Sequence, residues 1–212
     1  MAVILELRNV EKRYNRFSAS PILGPISLQL AEGEILGIRG HNGAGKTTLL
    51  ALASGALKPD SGEVRCSPKA KNEIVYLPQE LSLYSDLTGL ENLRFWGMSY
   101  GLPEKVIPVR SKWLLDRLHL QEKGAEPVRT YSGGMKRRLH LASALMTTPK
   151  VLLLDEPTVG ADDESVSDML EVIKQHAEAG CAVIFVSHRQ EEMRRICSRV
   201  ITLENGRIAA EE

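Results

Sequence analysis

Gly40-His41-Asn42-Gly43-Ala44-Gly45-Lys46-Thr47-Thr48 spells G-x-x-x-x-G-K-[ST], a set of residue types and spacings suited to gripping a polyphosphate. Glycines let the backbone turn tightly, so that successive N–H groups can converge on an anion. Lys46 adds a mobile positive charge for β- and γ-phosphates and has no evident packing role. The Thr47 hydroxyl is placed to ligate Mg²⁺. The competing explanation is a glycine-rich turn that happens to end in Lys-Thr. The flanks argue against it. Residues 34–39 read as a short buried strand, and Leu49, Leu52, Ala53 and Ala56 recur at helical spacing. Strand, loop and helix in that order bring phosphates to a helix N-terminus, where the dipole and free N–H groups favour negative charge.

A second group of chemically capable residues follows the apolar run at 151–154: Asp155, Glu156, Pro157 and Thr158. A carboxylate at the C-terminal end of a buried parallel strand faces the crevice where open α/β sheets take their ligands. There Asp155 can hold Mg²⁺ or one of its waters, and Glu156 can polarise an attacking water as a general base. A solvated acidic turn is the plainer reading, and the P-loop pattern outweighs it. Gln79 and His188 say little alone. His188 gains weight by following an apolar strand and Ser187; Gln79 gains it by lying between a strand and a helical stretch.

The elements that must position these groups are legible in outline. Residues 4–8 and 26–30 are strand-like, the second alternating apolar and polar as a strand with one wet face does. Residues 15–25 read as their loop and 59–62 as a turn. Residues 74–77 make a further strand. From residue 80 the pattern turns helical. Thr88 and Glu91 fit a capping box. Residues 104–118 form a second predicted helix with Val106, Val109 and Trp113 on one face, and residues 134–146 a third. Strand character returns at 151–154 and 182–186, with an amphipathic helix between them. Asn205-Gly206 signals a two-residue hairpin. The basic run Lys136-Arg137-Arg138 reads as a solvated helix face.

With 212 residues, 43% hydrophobic and 25% charged, the composition is that of a soluble globular protein with ample core. A net charge of zero argues against a broad grip on nucleic acid or anionic lipid. Cys66, Cys181 and Cys197 are an odd number without C-x-x-C and read as buried or incidental thiols in a reducing compartment. No apolar run approaches the ~18 residues of a membrane span. The expectation is a cytoplasmic protein whose membrane role, if it has one, comes through a partner.

Residues 40–48, Tyr131-Ser132-Gly133-Gly134-Met135 and Asp155-Glu156-Pro157-Thr158 together resemble the ATP-binding cassette (ABC) ATPases. Gln79 and Ser187-His188 fall where that family has its Q-loop and H-loop. The resemblance covers nearly the whole chain, and Ser-Gly-Gly is its most specific element. It implies an α/β P-loop NTPase fold: a RecA-like ATP-binding core with an N-terminal antiparallel β part at 1–79 and 147–212, and a helical insert subdomain at 80–146. It further implies a head-to-tail dimer that sandwiches two ATP molecules. Residue by residue, it gives ATP phosphates and Mg²⁺ to Gly40, His41, Asn42, Gly43, Ala44, Gly45, Lys46, Thr47 and Thr48. Ser132, Gly133 and Gly134 serve the γ-phosphate of the opposite subunit's ATP. Gln79 and His188 contact the γ-phosphate, Thr47, Gln79 and Asp155 serve Mg²⁺, and Glu156 activates water. Asp162 matches the acid of the D-loop. Tyr14 stands where the family has an aromatic that stacks on adenine; packing against the N-terminal strand is its alternative role. Tyr131, Met135 and the basic run look like exporter-type ATPases of the ABC-2 kind. Ala161 departs from the usual Leu.

The resemblance thus implies a subunit that hydrolyses ATP to power a transporter, peripheral at the cytoplasmic face. Its expected partners are a transmembrane permease subunit and a second ATP-binding subunit, identical or not. It expects no nucleic acid and no membrane contact except through the permease. A soluble, non-transport ABC ATPase is the alternative.

Overall fold

The computed structural model describes residues 2–13, 21–70 and 73–212. The chain divides into two compact units. One takes the chain up to Tyr76, Pro149–Glu156 and His176–Glu212; the other takes Leu77–Thr148 and Pro157–Gln175.

The first unit contains both sheets. In the smaller, antiparallel one, β1 (Val3–Lys12) lies between β2 (Leu23–Ala31) and β4 (Ser61–Cys66). Alternation dictates β2: Ile26, Leu28 and Leu30 are buried, while Pro25, Ser27 and Gln29 face solvent. The larger sheet comprises β3 (Ile35–Arg39), β5 (Ile74–Leu77), β6 (Val151–Asp155), β7 (Ala182–Val186), β8 (Arg199–Glu204) and β9 (Arg207–Glu211), in the order β5-β6-β7-β3-β8-β9. β6, β7, β3 and β8 run parallel, and β8 turns back antiparallel into β9. Asn205 and Gly206, both at positive φ, make that turn, as the Asn-Gly pair predicts. Every residue of β6 and β7 is buried, which explains their unbroken apolar runs. The register sets Asp155 opposite Val186 and Ile38 opposite Val186, so β6, β7 and β3 end level with one another. Helices α1 (Lys46–Ala53) and α6 (Gln190–Ile196) complete this unit. Its core joins Leu49, Leu50 and Leu52 of α1 to Leu5, Leu7, Ile38, Leu153 and Ile184 of the two sheets.

The second unit is built on α2 (Gly89–Ser99), α3 (Ile107–Arg117) and α4 (Gly133–Ala144), with most of α5 (Asp163–Glu178). Thr88 and Glu91 close the expected capping box. Fully buried Asn92 fastens the preceding loop by bonding Tyr84 N, Tyr84 O and Thr88 O at 2.8–3.0 Å.

Four expectations need correction. Of residues 15–25, read as a loop, Leu23, Gly24 and Pro25 already belong to β2, and 15–20 lie outside the described residues. The face of α3 carrying Val106, Val109 and Trp113 is the exposed one, with Val109 71% exposed; Ile107, Ser111, Leu114 and Leu115 are buried instead. Pro108 moves the helix start to Ile107, and Leu114 and Leu115 decide the inward face. Residues 59–62 read as a turn, but Ser61 already opens β4, a strand with no buried residue and hence no alternation to read. The run at 136–138 is half-buried rather than solvated.

Candidate nucleotide-binding and hydrolysis site

The first unit assembles the phosphate loop from β3 and α1. Gly43 and Gly45 sit at φ 82° and 102°, the left-handed region that glycine enters without strain. A Cβ on Gly40 would lie 2.3 Å from the Leu203 carbonyl oxygen, a backbone atom of β8 that cannot step aside. Buried Ala44 anchors the loop, and His41, Asn42, Gly43 and Thr47 are exposed. No side chain caps the N-terminus of α1, so its leading N–H groups are available to an anion. Thr48 points inward. Lys46 is only 7% exposed, and its ammonium donates to Gly40 O at 2.8 Å and His41 O at 3.2 Å. Lys46 therefore also braces the loop, a packing role the sequence does not reveal.

The level ends of β6 and β7 bring in the other groups. Asp155 is buried and accepts the Thr47 hydroxyl at 2.8 Å and the Tyr76 hydroxyl at 3.4 Å. Burial, then the Asp155 charge, pushes the Tyr76 phenol up to about 12, so it remains a donor at neutral pH. Glu156 has φ 50°, unusual for a residue with a side chain, and its N–H donates to Val186 O at 3.1 Å. The turn aims its carboxylate at His188, with Oε1 2.6 Å from Nε2. The Glu156 side chain is 12% exposed and that of His188 45%. The loop carrying His188 is pinned from α6: Ser187 Oγ donates to buried Glu192 at 2.7 Å and accepts from Arg189 N at 3.0 Å.

The second unit holds the remaining sites together around α4. Ser132 caps that helix, accepting from Met135 N at 3.2 Å, and both Ser132 and Gly133 are exposed. Gly134 is buried against the Asp162 turn. A Cβ there would lie 2.5 Å from Asp162 Oδ2 and 2.6 Å from Ser165 Oγ. Asp162 caps α5 by accepting from Ser165 N at 2.8 Å and Ser165 Oγ at 3.0 Å, and these bonds hold its carboxyl below the usual range. The Gln79 carbonyl accepts from Arg137 of α4. Tyr14 lies outside the described residues.

A family model for ABC transporters matches residues 23–159. The chain belongs to the ABC transporter family. It is similar to the linearmycin resistance ATP-binding protein LnrL of Bacillus subtilis (strain 168), 39% identical over 215 residues that span 98% of this chain and 68% of that protein. The Nod factor export ATP-binding protein I of Cupriavidus pinatubonensis is 35% identical over 219 residues, spanning 100% of this chain and 66% of that one. The chain thus spans about two thirds of the length of these relatives. Among solved structures, a dimeric ATP-binding cassette in a post-hydrolysis state with ADP and Pi superposes with a TM-score of 0.85 at 26% identity, over 99% of this chain and 98% of that one.

This ABC protein is accordingly a P-loop NTPase that binds and hydrolyses ATP. Several residues that shape its sites escaped sequence reasoning. Tyr76 was legible only as the partner of Ile74 in strand alternation. Glu192 carried a weak signal, an acid beside Met193 in an otherwise charged seven-residue helix. Arg137 was hidden in a basic run. The three cysteines are free thiols; burial raises all three, Cys181 and Cys197 to about 12, so none is a reactive thiolate. No helix among the described residues is long and apolar enough to cross a membrane.

Proposed function

We propose that this chain is the motor subunit of an ABC exporter, binding ATP·Mg²⁺ in its first unit and completing the site of a second copy or close relative through Ser132, Gly133 and Gly134. The observation that carries the hydrolytic reading is the pairing of Thr47 Oγ1 with Asp155 Oδ2 at 2.8 Å, next to Glu156. A hydroxyl and a carboxylate in contact are hard oxygen donors of the kind Mg²⁺ takes while keeping its remaining positions for water and phosphate. The family resemblance adds Gln79 as a further donor. Bound there, Mg²⁺ would neutralise charge on the β- and γ-phosphates. The chain's own groups do the rest. The N-terminus of α1 and the N–H groups of residues 40–48 hold the phosphates, and Lys46 turns from its loop carbonyls to the β- and γ-oxygens. Glu156 takes the proton of the attacking water, and His188, held at its carboxylate, orients it and reaches the γ-phosphate. Tyr14 stacks on adenine.

Residues 1–79 and 147–212 serve as the ATP-binding core and 80–146 as the signature subdomain. The export direction rests on the relatives, whose names specify linearmycin resistance and Nod factor export. A transmembrane permease is the proposed partner, docking on the exposed side chains that follow Gln79: Leu81, Tyr84, Phe95 and Met98. Tyr84 and Phe95 meet edge to face at 4.7 Å, giving that patch a rigid aromatic surface. The subunit would then sit at the cytoplasmic face and reach the membrane only through the permease, without nucleic acid.

Mixing two damaged chains tests the composite site. Lys46→Ala and Ser132→Arg homodimers each carry two damaged sites. In a mixed dimer with a two-fold axis both lesions fall in one site, and the other is whole. With Glu156→Gln added to both chains, and with ATP-dependent dimerisation of the Glu156→Gln protein established first, the mixture should trap one nucleotide per dimer. Mixing that restores nothing would show that the signature acts within its own chain.

A further inference from the structure

Arg137 stands one helical turn after Gly133 on α4, and its guanidinium joins two loops that are far apart in sequence. Nε donates to Val159 O at 2.9 Å, and a terminal nitrogen donates to Gln79 O. Both acceptors are backbone carbonyls, so the clamp fixes where each loop runs rather than which side chain it presents. Guanidinium is suited to this. Its donors lie on different edges of one rigid plane, whereas an ammonium is a point charge that cannot hold two separated acceptors in a fixed relation.

Each loop has a second tie to the same helix. His140, one turn beyond Arg137, accepts from Ser82 N at 3.2 Å, so α4 holds the Gln79 loop at two points. Burial, then the neighbouring Arg137 charge, pushes the His140 imidazole down to about 4, which keeps it neutral and able to accept that bond. On the other loop, Gly134 packs against Asp162 and Ser165. Arg137 lies between these ties and bonds both segments.

We propose that Arg137 is a positioning residue that makes the Gln79 loop, the Val159–Asp162 turn and the signature helix move as one piece. This rests on the reading above, in which Gln79 contacts the γ-phosphate, the permease docks on the side chains that follow it, and Ser132 serves the partner's nucleotide. A shift of the Gln79 loop on ATP binding or permease movement is then carried through one guanidinium to the surface that meets the partner.

The test compares Arg137→Gln and Arg137→Lys with the wild-type chain. Amide hydrogen exchange in the nucleotide-free protein should quicken by about 10-fold or more in both 78–82 and 158–162 of Arg137→Gln, as expected for losing bonds from a charged donor. Exchange in residues 40–48 should not change. In steady-state turnover kcat should fall by about 10-fold, with KM for ATP unchanged, since displacement without loss of binding contacts acts on the reaction step. Arg137→Lys, able to serve one carbonyl, should lie between. Faster exchange in only one loop, or in neither, overturns the proposal. So does faster exchange across the whole chain, which would mark Arg137 as a general stabiliser. Absence of turnover in the wild-type chain would instead strike the hydrolytic reading, and the exchange result would still decide the clamp.

Discussion

Glu156 should be separable into a catalytic part and a stability part, because its backbone and its side chain pull in opposite directions. Its φ of 50° costs a residue with a side chain roughly 1–2 kcal/mol. Replacing it by Gly removes that cost, returns roughly 0.5–1 kcal/mol as extra backbone entropy in the unfolded chain, and forfeits the contact with His188. The His188 ring is 45% exposed, so solvent screening limits that contact to at most ~1 kcal/mol. The three terms nearly cancel, and Glu156→Gly should unfold in urea within about 1 kcal/mol of the wild type, although the lost side chain is only 12% exposed. Turnover should nevertheless fall by at least the ~10²–10⁴-fold expected for loss of a general base. Glu156→Gln, which keeps the shape and loses the base, should bind ATP yet release phosphate as slowly. The assays are urea unfolding followed by Trp96 and Trp113 fluorescence, and steady-state phosphate release. A loss of ~3–5 kcal/mol in the Gly variant would mean that Glu156 and His188 form a structural ion pair, and the strain argument would fail. Wild-type turnover by either variant would remove Glu156 from the role of base.

Lys46→Ala should lower nucleotide affinity and hydrolysis, and because the ammonium also bonds Gly40 O and His41 O, it should speed amide exchange in residues 40–45 of the nucleotide-free protein. Unchanged exchange there would return Lys46 to a purely ligand-binding role. Stability should depend on pH through His140. Its folded value of about 4 lies below the ordinary 6.5, so the unfolded chain binds the extra proton first; stability is complete above pH 6.5 and declines as pH falls toward 4, by roughly 3 kcal/mol over that interval. His140→Gln should flatten the pH 4–6.5 limb of the stability curve, and an unaltered limb would assign it to other groups.

Local chemistry was the legible part of this chain. The strand–loop–helix around residues 40–48 and the strand end at Asp155 could be placed because the G-x-x-x-x-G-K-[ST] pattern and the acids after an apolar run restrict residue type and spacing, and the buried strands at 151–154 and 182–186 because every position is apolar. Elements whose sequence carries no period were lost. β4 buries no residue, and α6 buries only Glu192 and Met193 in seven residues. α3 shows a different limit. Two apolar faces compete on it, and only the tertiary contacts of Leu114 and Leu115 choose between them. Arg137 and Asn92 escaped for a third reason: both bond backbone carbonyls, Arg137 of two loops far off in sequence and Asn92 of the loop just before its own helix, and a carbonyl leaves no trace in residue identity.

The three signature residues illustrate how structure divides a motif that sequence presents as one. Gly134 is favoured by the chain's own packing, since a Cβ there would displace the Asp162 carboxylate and the Ser165 hydroxyl that together cap α5. Gly133 is under no such constraint. Its φ is not in the left-handed region, and a Cβ there would meet only the Gly160 carbonyl oxygen at 3.5 Å, an ordinary contact. Ser132 satisfies the N-terminus of α4 from an exposed position that Thr, Asp or Asn would fill as well in an isolated helix. Packing within this chain therefore explains one of the three residues and leaves Ser132 and Gly133 to another cause. Both lie exposed at a helix N-terminus, where free N–H groups and the dipole favour an anion, and the glycine leaves that surface bare for close approach. A polyphosphate on a second subunit meets these requirements, so the unexplained residues themselves argue for a site completed between chains.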